Sequence, residues 1–300
     1  MLATIGDLVE DIVARLSRDP RKGTDTPTKI QRRRGGSAAN VAALARAIGT
    51  PSRFVGQVGD DPLGQRLIDD LTQLGVDARV SRSGVTGSII VLVDSGGERT
   101  FLTDRGAALN LSSLDDDILK GVEVLHVPLY SVLTGPLART TFRLLGDAID
   151  AEVMISLDLS SVAAIEEFGP AELLALVEHL KPVAVFGNQS ELEALAVEPG
   201  RAIAGSTVTI VKAGPDPTTV LVADRPAIAV RVRPVEEVSD TTGAGDGFAA
   251  GYLTAIMAGS SPRTSVEAGH RLAALVLASP GASLPDSFEP APDRTLETDR

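Results

Sequence analysis

Residues 239–251 read SDTTGAGDGFAAG, and this stretch decides more about the chain than any other. Gly243, Ala244 and Gly245 carry almost no side chain, so three successive backbone N–H groups can approach an anion closely. The apolar run from Phe248 to Met257 reads as the body of a helix. A glycine-poised helix N-terminus gathers unpaired N–H donors and the positive end of the helix dipole, which favours phosphate. Asp246 fits that picture badly at first. An acid in the first turn answers the dipole, but a site that only held phosphate gains nothing from a carboxylate. A carboxylate beside bound phosphate can instead take a proton from an attacking hydroxyl. The pattern points to phosphoryl transfer.

Composition limits what such a site is built into. With 300 residues and 43% hydrophobic content, the chain suits one large α/β domain, or one and a half domains, with an ample core. A formal net charge of −12 speaks against nucleic acid or anionic membrane as partners, since both need a basic surface. The basic cluster Arg32 to Arg34 reads as a short solvated patch. There is no cysteine, so disulfides and thiolate metal sites are excluded, in keeping with a reducing compartment. The start, MLATIGDLVED, has acids where a signal peptide needs basic residues, and the uncharged stretch Gly247 to Pro262 is too short to span a bilayer. A cytoplasmic protein is expected.

Taken in order, Leu2 to Ile5 reads as a buried strand ending at Gly6-Asp7, and Gly35-Gly36-Ser37 leads into a small-residue helix from Ala38 to Ile48. Phe54 to Val58 is a strand, and Leu63, Leu67, Leu71 and Leu74 recur at helical spacing. From Val76 to Leu102 the texture is β without helices: Ser88 to Val93 and Arg99 to Leu102 flank a turn at residues 94–98. Strand and helix then alternate again through strands at 124–127, 153–157, 183–186 and 208–211. A β pair at 219–222 and 227–232 and two closing helices, 244–258 and 262–278, complete the pattern. Repeated βα units imply a mostly parallel sheet with helices on both faces. Residues 285–300 read as a charged tail. In Ile89, Val91 and Val93 alternating with Ile90 and Leu92, both strand faces are apolar, so one face is expected to cover a ligand and the other to pair two subunits in a homodimer.

Such sheets bind ligands beyond the carboxyl ends of their strands. Asp7 and Asp11 follow the first strand, Gly35, Gly36 and Asn40 open the first long helix, and Asn188 and Glu191 follow the strand at 183–186. No GxxxxGK[ST], no GxGxxG after the first strand and no GxSxG occurs. His126, His179 and His270 lack metal spacing and read as structural.

Gly35-Gly36-Ser37-Ala38-Ala39-Asn40 with Gly49, Gly56-Gln57-Val58-Gly59-Asp60-Asp61 with Gly64, Asn188-Gln189-Ser190-Glu191, Asp240 to Asp246, and Gly281-Ala282 stand in an ordered series. Together they resemble the signatures of the ribokinase/PfkB family of carbohydrate and nucleoside kinases, over about residues 2 to 283. The resemblance implies a ribokinase-like α/β fold: a kinase domain over residues 1–284, with a small β-sheet lid made of segments about 9–34 and 88–104. It implies Asp246 as catalytic base and the amides of Gly243, Ala244 and Gly245 as anion hole. Asp11, Gly35, Gly36 and Asn40 would hold the acceptor, and Asn188, Lys212, Gly214 and Gly281 the nucleotide, with Lys212 to Gly214 and Ser279 to Ala282 as its rim. Glu191 would act on Mg²⁺ through water, beside ATP, and the resemblance allows a monovalent cation.

Three places depart from the sugar-kinase pattern. Val9 stands where ribokinases proper have a polar contact, Asp158-Leu159-Ser160 lacks an asparagine, and Lys212 to Pro217 is less glycine-rich. The expected activity is ATP-dependent phosphorylation of a hydroxyl on a sugar or sugar-like small molecule. A nucleoside kinase of the same family and a non-catalytic ligand sensor are the alternatives; the intact Asp246 argues against the sensor. With seven Phe, two Tyr and no Trp, and Phe101 the one aromatic in the expected lid, a free sugar is favoured over a nucleoside.

Overall fold

The structure, a computed structural model, describes residues 1–235, 238–285 and 288. The expected tail at 285–300 therefore lies outside the described residues apart from Pro285 and Phe288.

Nine strands form the large sheet. β1 (Leu2–Ile5) lies in its interior, flanked by β4 (Ser52–Val58) and β8 (Val124–Pro128), both parallel to it. Beyond β4 comes β5 (Asp77–Arg82); beyond β8 come β9 (Met154–Asp158), β10 (Ala184–Asn188) and β11 (Thr209–Lys212), all parallel. Two antiparallel strands, β12 (Thr218–Leu221) and β13 (Ile228–Val230), close that edge. Apart from the half-buried edge strand β5, the parallel strands are short and largely buried on both faces, which is why they read as apolar runs rather than as alternating ones.

Helices cover both faces. On one, α3 (Gly135–Asp150), α4 (Val162–Phe168), α5 (Pro170–Leu180) and α6 (Gln189–Ala194) pack Leu137, Leu144, Ile165, Val177 and Leu192 against Ile5, Leu125 and Leu157. On the other, α1 (Ser37–Ala47), α7 (Ala244–Met257) and α8 (Pro262–Leu277) bring Val41, Phe248, Tyr252 and Val266 against Leu2, Phe186 and Ile210. The ring of Phe186 meets Phe248 and Tyr252 edge-on, with centroids 6.1 and 5.2 Å away. α2 (Pro62–Gln73) shows how local the helix signals are. Asp61 caps it by accepting from the Gly64 amide at 2.7 Å, Pro62 starts it, and Leu67 and Leu71 are its buried stripe.

A second, four-stranded sheet has the order β3 (Lys29–Gly35), β2 (Val9–Arg15), β6 (Thr86–Val93), β7 (Arg99–Gly106). β6 and β7 form the expected hairpin around Asp94. β5 corrects the sequence reading. It falls in the stretch read as pure β insertion, yet it joins the edge of the large sheet, because Ala78 and Val80 pack against the cluster around Phe54 and Leu67.

Candidate active site

Asp158, Asn188 and Lys212 stand at the carboxyl ends of β9, β10 and β11, and Asp7 just beyond that of β1. The N-terminus of α7 meets them there. Its cap, Gly243, has φ 78°, a left-handed conformation, and a methyl group on it would come within 2.4 Å of the Ala282 side chain. The residue type is therefore dictated twice at this position.

Asp246, in the first turn of α7, accepts hydrogen bonds from Ser37 Oγ at 2.6 Å and from Asn40 Nδ2 at 2.9 Å. Burial pushes its carboxyl up to about 6. The two hydrogen bonds and Lys212 pull against that rise, while Asp158 adds to it. A carboxylate with that value is ionised at neutral pH and still basic enough to accept a proton. Ser37 is a contact the sequence reading missed. It stood in the quoted Gly-Gly-Ser motif without a role of its own.

Asp11 lies inside β2, not in the loop after β1 where the sequence placed it, and pairs across the small sheet with Arg33 of β3. Its carboxyl sits against Gly35, where a methyl group would meet Oδ1 at 2.1 Å, so a larger residue there would push the Asp11 carboxyl out of this position. Burial, then the neighbouring charge of Asp246, raises Asp11 to about 6 against the pull of Arg33 and Arg34. Asn40 Oδ1 is buried with no hydrogen-bond partner, an acceptor left over beside this pair of acids. Asp7 is engaged elsewhere: Arg105 grips it with two bonds of 2.8 Å.

On the other side of Asp246 a cavity of about 600 Å³ is lined by Asn188, Lys212, Gly214, Gly245, Phe248 and His270, among others. Lys212 Nζ lies 2.9 Å from Asp158 and 3.6 Å from where a β-carbon on Gly245 would stand, so its charge faces the α7 N-terminus. Burial works against that charge, and Asp158, Glu191 and Asp246 together more than restore it. Asn188 and Glu191 form a reciprocal capping box at the start of α6, with Asn188 N–H and Nδ2 each 2.9 Å from the Glu191 carboxylate. Burial and Asp158 raise Glu191. Asp158 was passed over in the sequence for lacking an asparagine neighbour; its partner Lys212 was the available signal.

Gly281 does not line this cavity: its N–H donates to Asp240 at 3.2 Å, while Ser279, Pro280 and Ala282 line a separate cavity of about 980 Å³ with residues 31–34. His270 lines the cavity of about 600 Å³, with Nε2 2.8 Å from Thr218 Oγ1.

The cluster Arg32 to Arg34 is not a solvated patch either. Strand alternation sends Arg33 inward to Asp240 at 2.9 Å, and Arg34 donates to the Ala282 carbonyl at 3.2 Å. Arg32 turns outward to Glu10.

The model of the pfkB family of carbohydrate kinases matches residues 1–288. The chain belongs to that family. It is 30% identical over 284 residues to the ATP-dependent ribose-1-phosphate kinase of Halopiger xanaduensis, covering 91% of this chain and 90% of that protein. Ribokinase of Arabidopsis thaliana is 26% identical over 313 residues, with 95% of this chain and 78% of that one covered. The crystal structure of adenosine kinase from Sinorhizobium meliloti superposes with a TM-score of 0.83 at 23% identity, over 94% of each chain. This PfkB-family chain is thus a sugar or nucleoside kinase with a ribokinase-like fold, a phosphotransferase acting on a hydroxyl. Among the described residues no helix is long and apolar enough to cross a membrane.

Proposed function

We propose that this PfkB-family kinase transfers the terminal phosphoryl group of ATP to a hydroxyl of a sugar or sugar-like molecule, with Asp246 as general base. The observation that carries this reading is the placement of Asp246. A buried carboxylate raised to about 6 shares the first helical turn with the amides of Gly243 to Gly245, and Lys212 faces the same point.

The division of labour follows from the chemistry of each group. Asp11 and the free Oδ1 of Asn40 accept hydrogen bonds from neighbouring acceptor hydroxyls, and Ser37 and Asn40 Nδ2 hold Asp246 toward the hydroxyl that reacts. Asp246 takes that hydroxyl's proton as its oxygen attacks. The α7 amides and Lys212 stabilise the charge on the transferring group, in the manner of a preorganised oxyanion site. The small sheet, acting as a lid, excludes water. The cavity beside Phe248 and His270 takes the adenine end of ATP; ATP as donor is supported by the name of the Halopiger relative, an ATP-dependent kinase.

Among the described residues there is no group of three or more acidic, His or Cys side chains poised to bind a metal. Two carboxylates, Asp158 and Glu191, flank Lys212 instead. That sparse set fits Mg²⁺ held chiefly by phosphates and water, with these carboxylates on its hydration shell. Bound there, Mg²⁺ would offset phosphate charge.

An acceptor panel of ribose, fructose, ribose 1-phosphate and adenosine, assayed by ADP release, tests the reading. Sugar turnover that falls in Asp11→Ala by about 1 to 3 kcal/mol in kcat/KM is expected, the cost of leaving a buried hydroxyl contact unpaired. Turnover of adenosine alone would shift the assignment to a nucleoside kinase.

A further inference from the structure

Three strands of the small sheet each send one arginine to a single carboxylate that belongs to the anion-hole loop. Asp240 accepts from Arg33 Nη1 of β3 at 2.9 Å and from Arg99 Nη2 of β7, and Arg15 Nη2 of β2 lies 3.6 Å away. The same carboxylate accepts from Thr242 N–H at 3.0 Å, Thr242 Oγ1 at 2.8 Å and Gly281 N–H at 3.2 Å. Thr242 directly precedes Gly243, the cap of α7, so Asp240 holds the backbone from which the proposed anion hole springs.

Asp240 is only 4% exposed, and a carboxylate that deep is costly unless paired. Burial alone would raise it; the Thr242 bonds, the Arg99 charge and the Gly281 bond outweigh burial and hold it below the usual carboxylate range. Guanidinium groups suit the task, because they stay charged at any accessible pH and grip carboxylates in a fixed geometry. The small sheet has no covalent reason to touch this loop: Arg33 and Asp240 are 207 positions apart in sequence.

We propose that Asp240 is a positioning residue through which the small sheet shapes the anion hole, so that closing the acceptor compartment and aligning Gly243 to Gly245 are one event. This rests on the reading of those amides as the anion hole. With the sheet lifted away, Asp240 loses its arginines and opens to water, and the Thr242 backbone it holds is free to shift. With the sheet down, the carboxylate is neutralised and the loop is fixed. The transferring phosphoryl group then meets a formed anion hole only when water has been shut out, which favours the bound hydroxyl over hydrolysis.

The test uses the full chain, Mg-ADP, and aluminium fluoride as a stand-in for the transferring phosphoryl group, followed by calorimetry. Arg33→Gln and Arg99→Gln should bind ADP as the wild type does. Their ADP complexes should take up aluminium fluoride more weakly by on the order of tenfold, a usual size for coupling between two parts of a protein. Arg99→Lys should recover part of the loss, and Arg99→Gln should cost little more once Asp240→Asn is present. A general weakening of the fold would move ADP and aluminium fluoride affinity together. Unchanged aluminium fluoride affinity in both arginine variants overturns the proposal, as does full additivity with Asp240→Asn. The two arginine variants decide the matter alone if Asp240→Asn does not fold. A wild type that binds no ADP overturns the kinase reading beneath it, a result distinct from the others.

Discussion

Asn40 and Asp246 lie 206 positions apart in sequence and are joined by a 2.9 Å hydrogen bond from Nδ2 to Oδ2. The bond spends the donor end of Asn40 on Asp246 and leaves its buried Oδ1 as an unused acceptor. On the proposed reading, one amide aims the base and offers a contact to the hydroxyl-bearing substrate.

Asp246→Asn should remove most turnover while leaving ATP binding nearly intact. A positioned general base contributes about 10²- to 10⁴-fold, and asparagine is close in shape. Steady-state kinetics with a binding titration checks this; a variant retaining roughly a third of wild-type kcat, far outside that range, would show that Asp246 is not the base.

The pH dependence has two opposite signs. As a base Asp246 must be ionised, so kcat/KM should fall as pH drops below about 6. Asp11, also raised to about 6, feels the charge of Asp246, so the apparent value belongs to the pair. Stability runs the other way. A carboxyl raised from 3.8 to about 6 on folding gives stabilisation that is complete below the unfolded value and lost as pH rises through about 6. The Tm of Asp246→Asn relative to wild type should therefore be more favourable near neutrality than near pH 3.8. A gap that stays constant with pH would contradict the raised value.

Glu191→Gln removes a charge while keeping the shape that closes the α6 capping box, since glutamine also serves at that position. The Mg²⁺ concentration needed for half-maximal rate should rise more than the acceptor KM, because an amide cannot match a carboxylate beside hydrated Mg²⁺. Full activity in excess EDTA would refute the metal requirement.

Gly243→Ala should abolish activity more than it lowers stability. The left-handed backbone disfavours alanine by about 1 to 2 kcal/mol, and the added methyl would press on Ala282 at 2.4 Å, displacing the loop. Losing one preorganised anion-hole donor costs about 3 to 4 kcal/mol in the transition state. Wild-type kcat with a lowered Tm would place the anion hole elsewhere.

Ile30, Ile90 and Leu102 share the outward face of the small sheet and are 59%, 39% and 53% exposed. A homodimer through that face is expected, with Ile90→Lys shifting it toward monomer in light scattering. A wild type that is monomeric at micromolar concentration would sink the dimer and leave the site untouched.

Much of this was legible in sequence because its signals are local. Glycine at 243, the Asp61 cap and the Leu67–Leu71 stripe each act within a few residues, and the strand–helix alternation follows from them. The Arg32 to Arg34 cluster was misread because a polar run carries no sign of what faces it. Only the pairing of β3 with β2 decides which arginine turns inward, and Asp240 lies too far along the chain to be seen as its partner. Asp11 was misplaced for a related reason: whether the chain after Ile5 forms a loop or a second strand depends on β6 lying alongside it.

The strand order bears on how the protein comes into being. β1 is made before the strands that flank it in the interior of the large sheet, while α7 and α8, which cover Leu2, Phe186 and Ile210, are synthesised after every strand of that sheet. Until they leave the ribosome, that face of the nascent sheet meets water, the kind of surface chaperones bind. Ser37 and Asn40 meanwhile wait without the acid they are to hold. The arrival of α7 buries the apolar face and delivers Asp246 in one stroke, so a ribosome-bound chain short of it is both sticky and without its proposed base.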